Sequence, residues 1–194
     1  HVLLAAYLRT ISQRPGINRF ISGQKVFARN EIVFVMTVKK ELSLNAPETL
    51  IKVKFNPADT LDEVYEKINK TAQEAIASMD KPTDFDKLSK ILSIIPGQLL
   101  RFVVFILRCL DYIGHLPKTI LNLSPFHGSM IITSMGSLGI NPIYHHIYDF
   151  GNLPVFISYG TKNVCYEYDR KGVLCRRKYM DVKVVTDERI CDGH

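Results

Sequence analysis

Val184-Val185-Thr186-Asp187-Glu188-Arg189-Ile190-Cys191-Asp192-Gly193 is the stretch on which the fold turns. β-Branched residues run into a charged turn, and the turn closes on Asp-Gly. β-Branched runs suit a pleated, half-buried strand, and Asp-Gly is turn chemistry. Taken alone, the stretch is a strand end and names no reaction. Its meaning depends on what precedes it.

Immediately upstream, residues 162–168 and 173–185 read as two strands. Asp169-Arg170-Lys171-Gly172 lies between them as a hairpin turn. The basic clusters Arg170-Lys171 and Arg176-Arg177-Lys178 therefore belong to a hairpin, and a solvated hairpin is the expectation. The other reading is a surface that attracts a phosphate or an anionic membrane. Further back, Val155 to Tyr159 reads as a separate strand. Ser129 to Thr133 reads as a buried strand, entered through Ser124-Pro125-Phe126-His127-Gly128. Gly136-Ser137-Leu138-Gly139 is a glycine-bearing turn.

The first half alternates helices and strands. Val2, Leu3, Ala6, Tyr7, Thr10 and Ile11 have amphipathic-helix spacing, stopped by Pro15-Gly16. Residues 24–40 read as a hairpin with Asn30 near its turn and Ile32 to Val38 as its second arm. In residues 50–56, Ile51, Val53 and Phe55 share one face and Lys52 and Lys54 the other, which is a half-buried strand. Thr60 with Glu63 three residues later is a capping box, starting a helix that runs to about Met79. Asp80 to Pro82 reads as a break, and Asp84 to Ile94 as a further helix. Gln98 to Ile113 is an unusually apolar helix, and Cys109 within it reads as a small core residue. Its longest uncharged run, Phe102 to Leu107, lies between Arg101 and Arg108. A spanning helix needs roughly 20 apolar residues. The helix is expected to be buried or to contact another subunit. An interfacial membrane helix flanked by Arg101, Arg108 and Lys118, or a wall for a hydrophobic ligand, are the other readings.

The 194 residues suit one domain, 1–194, and both ends are expected to be cuts in a longer chain. A hydrophobic share of 46% with 23% charged residues is globular composition. The net charge of +6 is modest, and no nucleic-acid partner is expected. Cys109, Cys165, Cys175 and Cys191 have no zinc-type spacing, so no metal is expected, and a reducing cytoplasm is the default. The pattern as a whole is α/β, a mixed sheet with covering helices.

With that frame, the opening stretch resembles the signature of the dihydrolipoamide acyltransferase and chloramphenicol acetyltransferase superfamily. That signature is a strand followed by Asp-His-Arg-x-x-Asp-Gly. Asp187, Arg189, Asp192 and Gly193 match it, and Glu188 stands at the histidine position. A second block, Gly128 to Gly139, is similar to the family's Gly-Thr-Phe-Thr-(Ile or Leu)-Ser-Asn-(Leu or Ile)-Gly segment. Asn141-Pro142 and Leu153 to Gly160 follow in the family's order. A third block, Leu3 to Ile11 and then Arg14-Pro15-Gly16-Ile17-Asn18, is similar to the family's long helix followed by His-Pro-x-(Leu or Phe)-Asn. Together the blocks span essentially the whole chain; residues 80–127 match least.

The resemblance implies a chloramphenicol acetyltransferase-like two-layer sandwich and a CoA-dependent acyltransferase. Coenzyme A or acyl-CoA is the implied cosubstrate, with its binding residues unassigned. It also implies a homotrimer with active sites between subunits, the base coming from one chain and the hydroxyl strand from its neighbour. Thr133, with Ser134 beside it, holds the position of the hydroxyl that bonds the oxyanion. Glu188 holds the position of the base, with Arg189, Asp192 and Gly193 shaping its turn. Thr133 and Glu188 are then expected to meet only across a subunit boundary.

The reaction needs a base that takes a proton from a thiol or hydroxyl. A free carboxylate titrates near about 4.3 and an imidazole near about 6.5, so Glu188 is the poorer base unless burial raises it. His127, His145 and His146 lie in loops around the hydroxyl strand and read as ordinary surface residues, although a trimer would bring them towards a neighbour's Glu188. His194, beyond Gly193, is the weaker substitute. Asp187-Glu188-Arg189 also reads as a plain solvated turn with a local ion pair, and Thr133 and Ser134 as hydroxyls that cap neighbouring backbone. The alternative function is therefore a non-catalytic trimeric scaffold or acyl-ligand binder. A third is a protein working at a membrane surface through residues 98–113.

Overall fold

A computed structural model of the chain describes residues 1–39, 48–78, 90 and 93–191. Asp80 to Pro82 and most of the expected helix Asp84 to Ile94 lie outside the described residues, as do Asp192, Gly193 and His194.

Five strands form one mixed sheet. They are β3 (Ile32–Lys39), β4 (Glu48–Phe55), β5 (Met130–Ser134), β6 (Val155–Tyr168) and β7 (Leu174–Thr186), in the order β4-β3-β5-β6-β7. The two outer pairings are antiparallel, and β5 runs parallel to both β3 and β6. Strand β3 lies inside the sheet, and its run Ile32 to Val35 is buried on both faces, which explains its unbroken apolar sequence.

Helices α1 (Val2–Gln13) and α2 (Leu61–Ser78) cover one face. From them Leu4, Leu8, Ile11, Val64 and Ile68 pack on Phe34, Ile51, Val53, Phe55, Met130, Ile132, Val155 and Ile157. The inward face of α1 is Leu4-Leu8-Ile11; of the residues whose spacing marked the helix, Leu3, Tyr7 and Ile11 pack on this core, and Val2 is exposed. The alternation at Ile51, Val53 and Phe55 is borne out, with all three side chains in this core.

The capping box forms as expected. Thr60 N donates to Glu63 Oε2 at 2.7 Å, and Glu63 N donates to Thr60 Oγ1 at 3.4 Å. Thr60→Ala removes the cap and is expected to cost about 1 kcal/mol, read as a lower urea midpoint at unchanged slope.

Three local expectations are corrected. The hairpin of residues 24–40 does not form. Instead β2 (Lys25–Ala28) pairs with β1 (Arg19–Ser22) in a separate ribbon. The deciding residue is Gly23 at φ +62°, which allows the two-residue turn between Ser22 and Lys25. Second, the strands at 155–159 and 162–168 are one strand, β6, with a register shift between Tyr159 and Lys162. Third, the apolar helix, α3 (Gly97–Tyr112), is not buried in this chain. Leu99, Phe102 and Phe105 are each more than half exposed, and Cys109 is exposed rather than in the core. Among the described residues, no helix is long and apolar enough to cross a membrane.

The basic clusters do sit on a hairpin, whose turn is closed by Asp169. Arg177 there pairs with Glu167, both exposed.

Candidate active site

Helices α1 and α2 lie on one face of the sheet. The other face carries Val33 and Val35 of β3, Ile131 and Thr133 of β5, Phe156 and Ser158 of β6, and Lys183 and Val185 of β7. Thr133 lies at the C-terminal end of β5, beside Ser158. After Ser134 the chain turns through a 3₁₀ turn, Gly136–Leu138, held by the Ser137 hydroxyl donating to Ser134 O at 2.9 Å. Gly136 is required there: an added Cβ would stand 2.5 Å from Gly160 O on β6.

The chain then crosses this second face. Ile143 N donates to Ser158 Oγ at 3.3 Å, and Lys183 Nζ sits 4.6 Å from the centre of the Tyr144 ring. The His145 ring stacks on Phe156, centroids 4.2 Å apart and planes 13° apart. Its Nε2 lies 3.1 Å from Thr133 Oγ1. Burial lowers the pKa of His145 below the ordinary histidine value.

This corrects two expectations. His145 is not an ordinary surface residue but the hydrogen-bond partner of Thr133. The Thr133 hydroxyl caps no backbone group; among the described residues, His145 is its one recorded partner. His146 is exposed. Ser134 pairs with Tyr159 and, by strand alternation, sits on the opposite face from Thr133, so the two hydroxyls are not brought together.

Strand β7 ends at Thr186 in a short turn. Asp187 N donates to Pro154 O at 2.9 Å, and Ile190 N to Asp187 O at 3.0 Å. Arg189 grips the Asp187 carboxylate, Nε to Oδ1 at 2.9 Å and Nη2 to Oδ2 at 2.6 Å. The hydrogen bonds from Arg189 hold the Asp187 carboxyl below the usual range. The local ion pair read in the sequence is therefore present. Glu188 is exposed and lines a cleft of about 680 Å³ with Gly23, Arg108, Tyr112, Phe150 and Arg189. Thr133 does not line that cleft, so a single chain does not bring the expected base and hydroxyl into one site.

Two clusters were not legible in the sequence. His127 is 4% exposed; its Nδ1 lies 2.8 Å from Ser124 Oγ and its Nε2 3.0 Å from Asp111 Oδ1. Asp111 Oδ2 also accepts from Gly151 N at 3.1 Å. His127 is thus a buried strut that ties the C-terminal end of α3 to the body, not the surface residue expected. The other cluster is basic. Arg29, Lys52, Lys54 and Lys118 surround a cleft of about 530 Å³ next to Glu31. Burial, then Arg29 and Lys54, push Lys52 down to about 8, and burial pushes Arg29 down to about 10. The strand pattern showed Lys52 and Lys54 on one face, but nothing local showed that Arg29 and Lys118 join them. Among the described residues no group of His, Cys, Asp or Glu could hold a metal.

No family model matches the chain, and no curated protein matches it. Solved structures do. A probable dihydrolipoamide acetyltransferase from Listeria monocytogenes superposes with a TM-score of 0.59 at 13% identity, covering 98% of this chain and 61% of its own. The chain folds like a dihydrolipoamide acetyltransferase. The Azotobacter vinelandii enzyme, investigated for a serine, a histidine and an asparagine in its catalytic mechanism, superposes at 0.57 with 12% identity over 99% of this chain and 60% of its own. The cubic core of a pyruvate dehydrogenase multienzyme complex superposes at 0.54 with 12% identity and the same coverage. The described chain thus spans about three fifths of the length of these dihydrolipoamide acetyltransferase-type structures.

Proposed function

We propose that this domain is a CoA-dependent acyltransferase that works as a homotrimer, with Thr133 as oxyanion donor and Glu188 of an adjacent subunit as an atypical base. The observation that carries the reading is the Thr133 hydroxyl. It sits at the end of β5, caps no backbone group among the described residues, and meets an imidazole at 3.1 Å. A hydroxyl kept out of the backbone ladder is available to a reacting group. The shared fold and the order of the sequence blocks support the same assignment.

In this reading the acceptor thiol gives its proton to the Glu188 carboxylate as its sulfur attacks the thioester carbonyl. A carbon–sulfur bond forms, and the carbonyl electron pair moves to oxygen, where Thr133 stabilises it. Collapse breaks the carbon–sulfur bond to CoA, and the departing thiolate takes the proton back from the Glu188 carboxyl. The basic cleft of Arg29, Lys52, Lys54 and Lys118 lies on the Thr133 side of the sheet and suits the phosphates of coenzyme A. The separation of Glu188 from Thr133 within one chain fits a site completed by a neighbour, and the uncovered apolar face of α3 fits subunit contact. The thiols of Cys109, Cys165 and Cys175 are unpaired, which fits a reducing cytoplasm.

The second reading is a trimeric scaffold or acyl-ligand binder. What favours it is the exposure of Glu188, which lacks the burial that a carboxylate base needs unless a partner supplies it. Light scattering with thermal melts separates both readings from a monomer that binds no ligand. We expect a trimer at micromolar concentration and a rise in melting temperature with acetyl-CoA. Saturation at about 100 times Kd adds about 2.7 kcal/mol to apparent stability. A stable monomer that ignores CoA and acetyl-CoA removes the shared-site account.

A further inference from the structure

The Thr133–His145 pair carries a role that the acyl-transfer reading does not itself assign. An oxyanion donor works only if its proton is free to point at the reacting oxygen. A threonine hydroxyl has one proton and two lone pairs, and its rotor turns to suit its surroundings. The partner at 3.1 Å is one ring nitrogen, and that nitrogen either accepts the hydroxyl proton or donates its own. In the first case Thr133 is spent. In the second its Oγ1 lone pair is occupied and its proton is left over for the substrate.

The ring is held in place facing Thr133. It lies flat on Phe156, which fixes its plane. Ile143 N bonds Ser158 Oγ two residues before it, and Pro142 packs so closely on Gly160 that no Cβ fits there. The loop is therefore pinned along β6, the strand that pairs with β5 at Thr133. Nδ1 has no recorded partner among the described residues, while Nε2 is aimed at Thr133. Resting on the acyl-transfer reading, we infer that His145 is the positioning residue of Thr133: its Nε2–H donates to Oγ1 and turns the hydroxyl proton towards the developing oxyanion.

Two substitutions separate this role from packing. His145→Phe keeps the stack on Phe156 and loses the donor; His145→Gln keeps an N–H donor. For acetyl transfer from acetyl-CoA to dihydrolipoamide, His145→Phe is expected to lower kcat about 10-fold with KM nearly unchanged, and His145→Gln to restore most of the loss. The double variant His145→Phe/Thr133→Val is expected to be no slower than Thr133→Val alone, because the two residues act through one hydroxyl. Multiplying effects overturn the inference. A nitrogen-15 spectrum of the ring supplies the readout that does not need turnover. Nε2 is expected to be protonated in the wild type and to shift in Thr133→Val. An unprotonated Nε2 in a protein that does transfer acetyl overturns the positioning role alone. A wild type that transfers nothing overturns the acyl-transfer reading, and the catalytic purpose of the pair with it, whatever the spectrum shows.

Discussion

Glu188→His is expected to raise acetyl-CoA-dependent acylation of a thiol, and Glu188→Gln to remove it. A well-placed general base contributes about 10²- to 10⁴-fold, and its pKa should lie near the working pH. Imidazole meets that condition at neutral pH and a free carboxylate does not. The scaffold around position 188 is in place for the exchange. Asp187 is anchored to Pro154 and gripped by Arg189, Ile190 is buried, and the cleft in front of Glu188 is open. A histidine there needs no change in the backbone. Because Glu188 supplies part of the base function in this account, the gain is expected towards the lower end of the range. Initial rates of the three proteins at equal trimer concentration decide it. If the wild type acylates the thiol and the Gln variant does not, Glu188 is a working base and the scaffold reading fails. If all three are equally inert while still trimeric, the pocket has no base to repair.

Thr133→Val is expected to lower kcat by about 10²- to 10³-fold, the usual cost of deleting one oxyanion donor. The substitution is nearly isosteric. It removes no backbone hydrogen bond, since Thr133 Oγ1 bonds only His145 among the described residues. Stability is therefore expected to change little, and KM for acetyl-CoA to stay within a few-fold. A variant that keeps full kcat returns Thr133 to a strand residue with a chance histidine neighbour. Ser134→Ala is the internal comparison, and its position on the opposite face predicts a far smaller effect.

How much of this was legible in the sequence depends on the range of the signal. Short-period signals carried through. The alternation at Ile51, Val53 and Phe55, the Thr60–Glu63 capping box and the Asp169–Gly172 hairpin turn each rest on residues within a few positions of one another. The order of blocks around Gly128–Gly139 and Val184–Ile190 indicated the fold that the solved structures share. Expectations failed where a distant partner decides. Lys25 to Ala28 has a strand pattern, but which strand it joins was settled by the Gly23 turn. His127 reads as a loop residue until Asp111, sixteen positions away, is brought to its Nε2. Cys109 sits in an apolar run, yet it is exposed, with no described residue covering it. The Thr133–His145 bond joins a strand to a loop twelve residues on, across the face of a sheet that no local pattern describes. Asp192 and Gly193, which complete the sequence signature, lie outside the described residues, so their part in the turn is still an expectation.

Acetyl transfer by the wild-type protein, followed as S-acetyl-dihydrolipoamide formed from acetyl-CoA beside a Thr133→Val control, tests the central claim most directly. The account predicts a product that forms with wild type, scales with trimer concentration and falls by about 10²-fold or more in the control. A folded, trimeric wild type that binds acetyl-CoA and forms no more product than the control would contradict it, and would leave the domain a scaffold with the acetyltransferase fold.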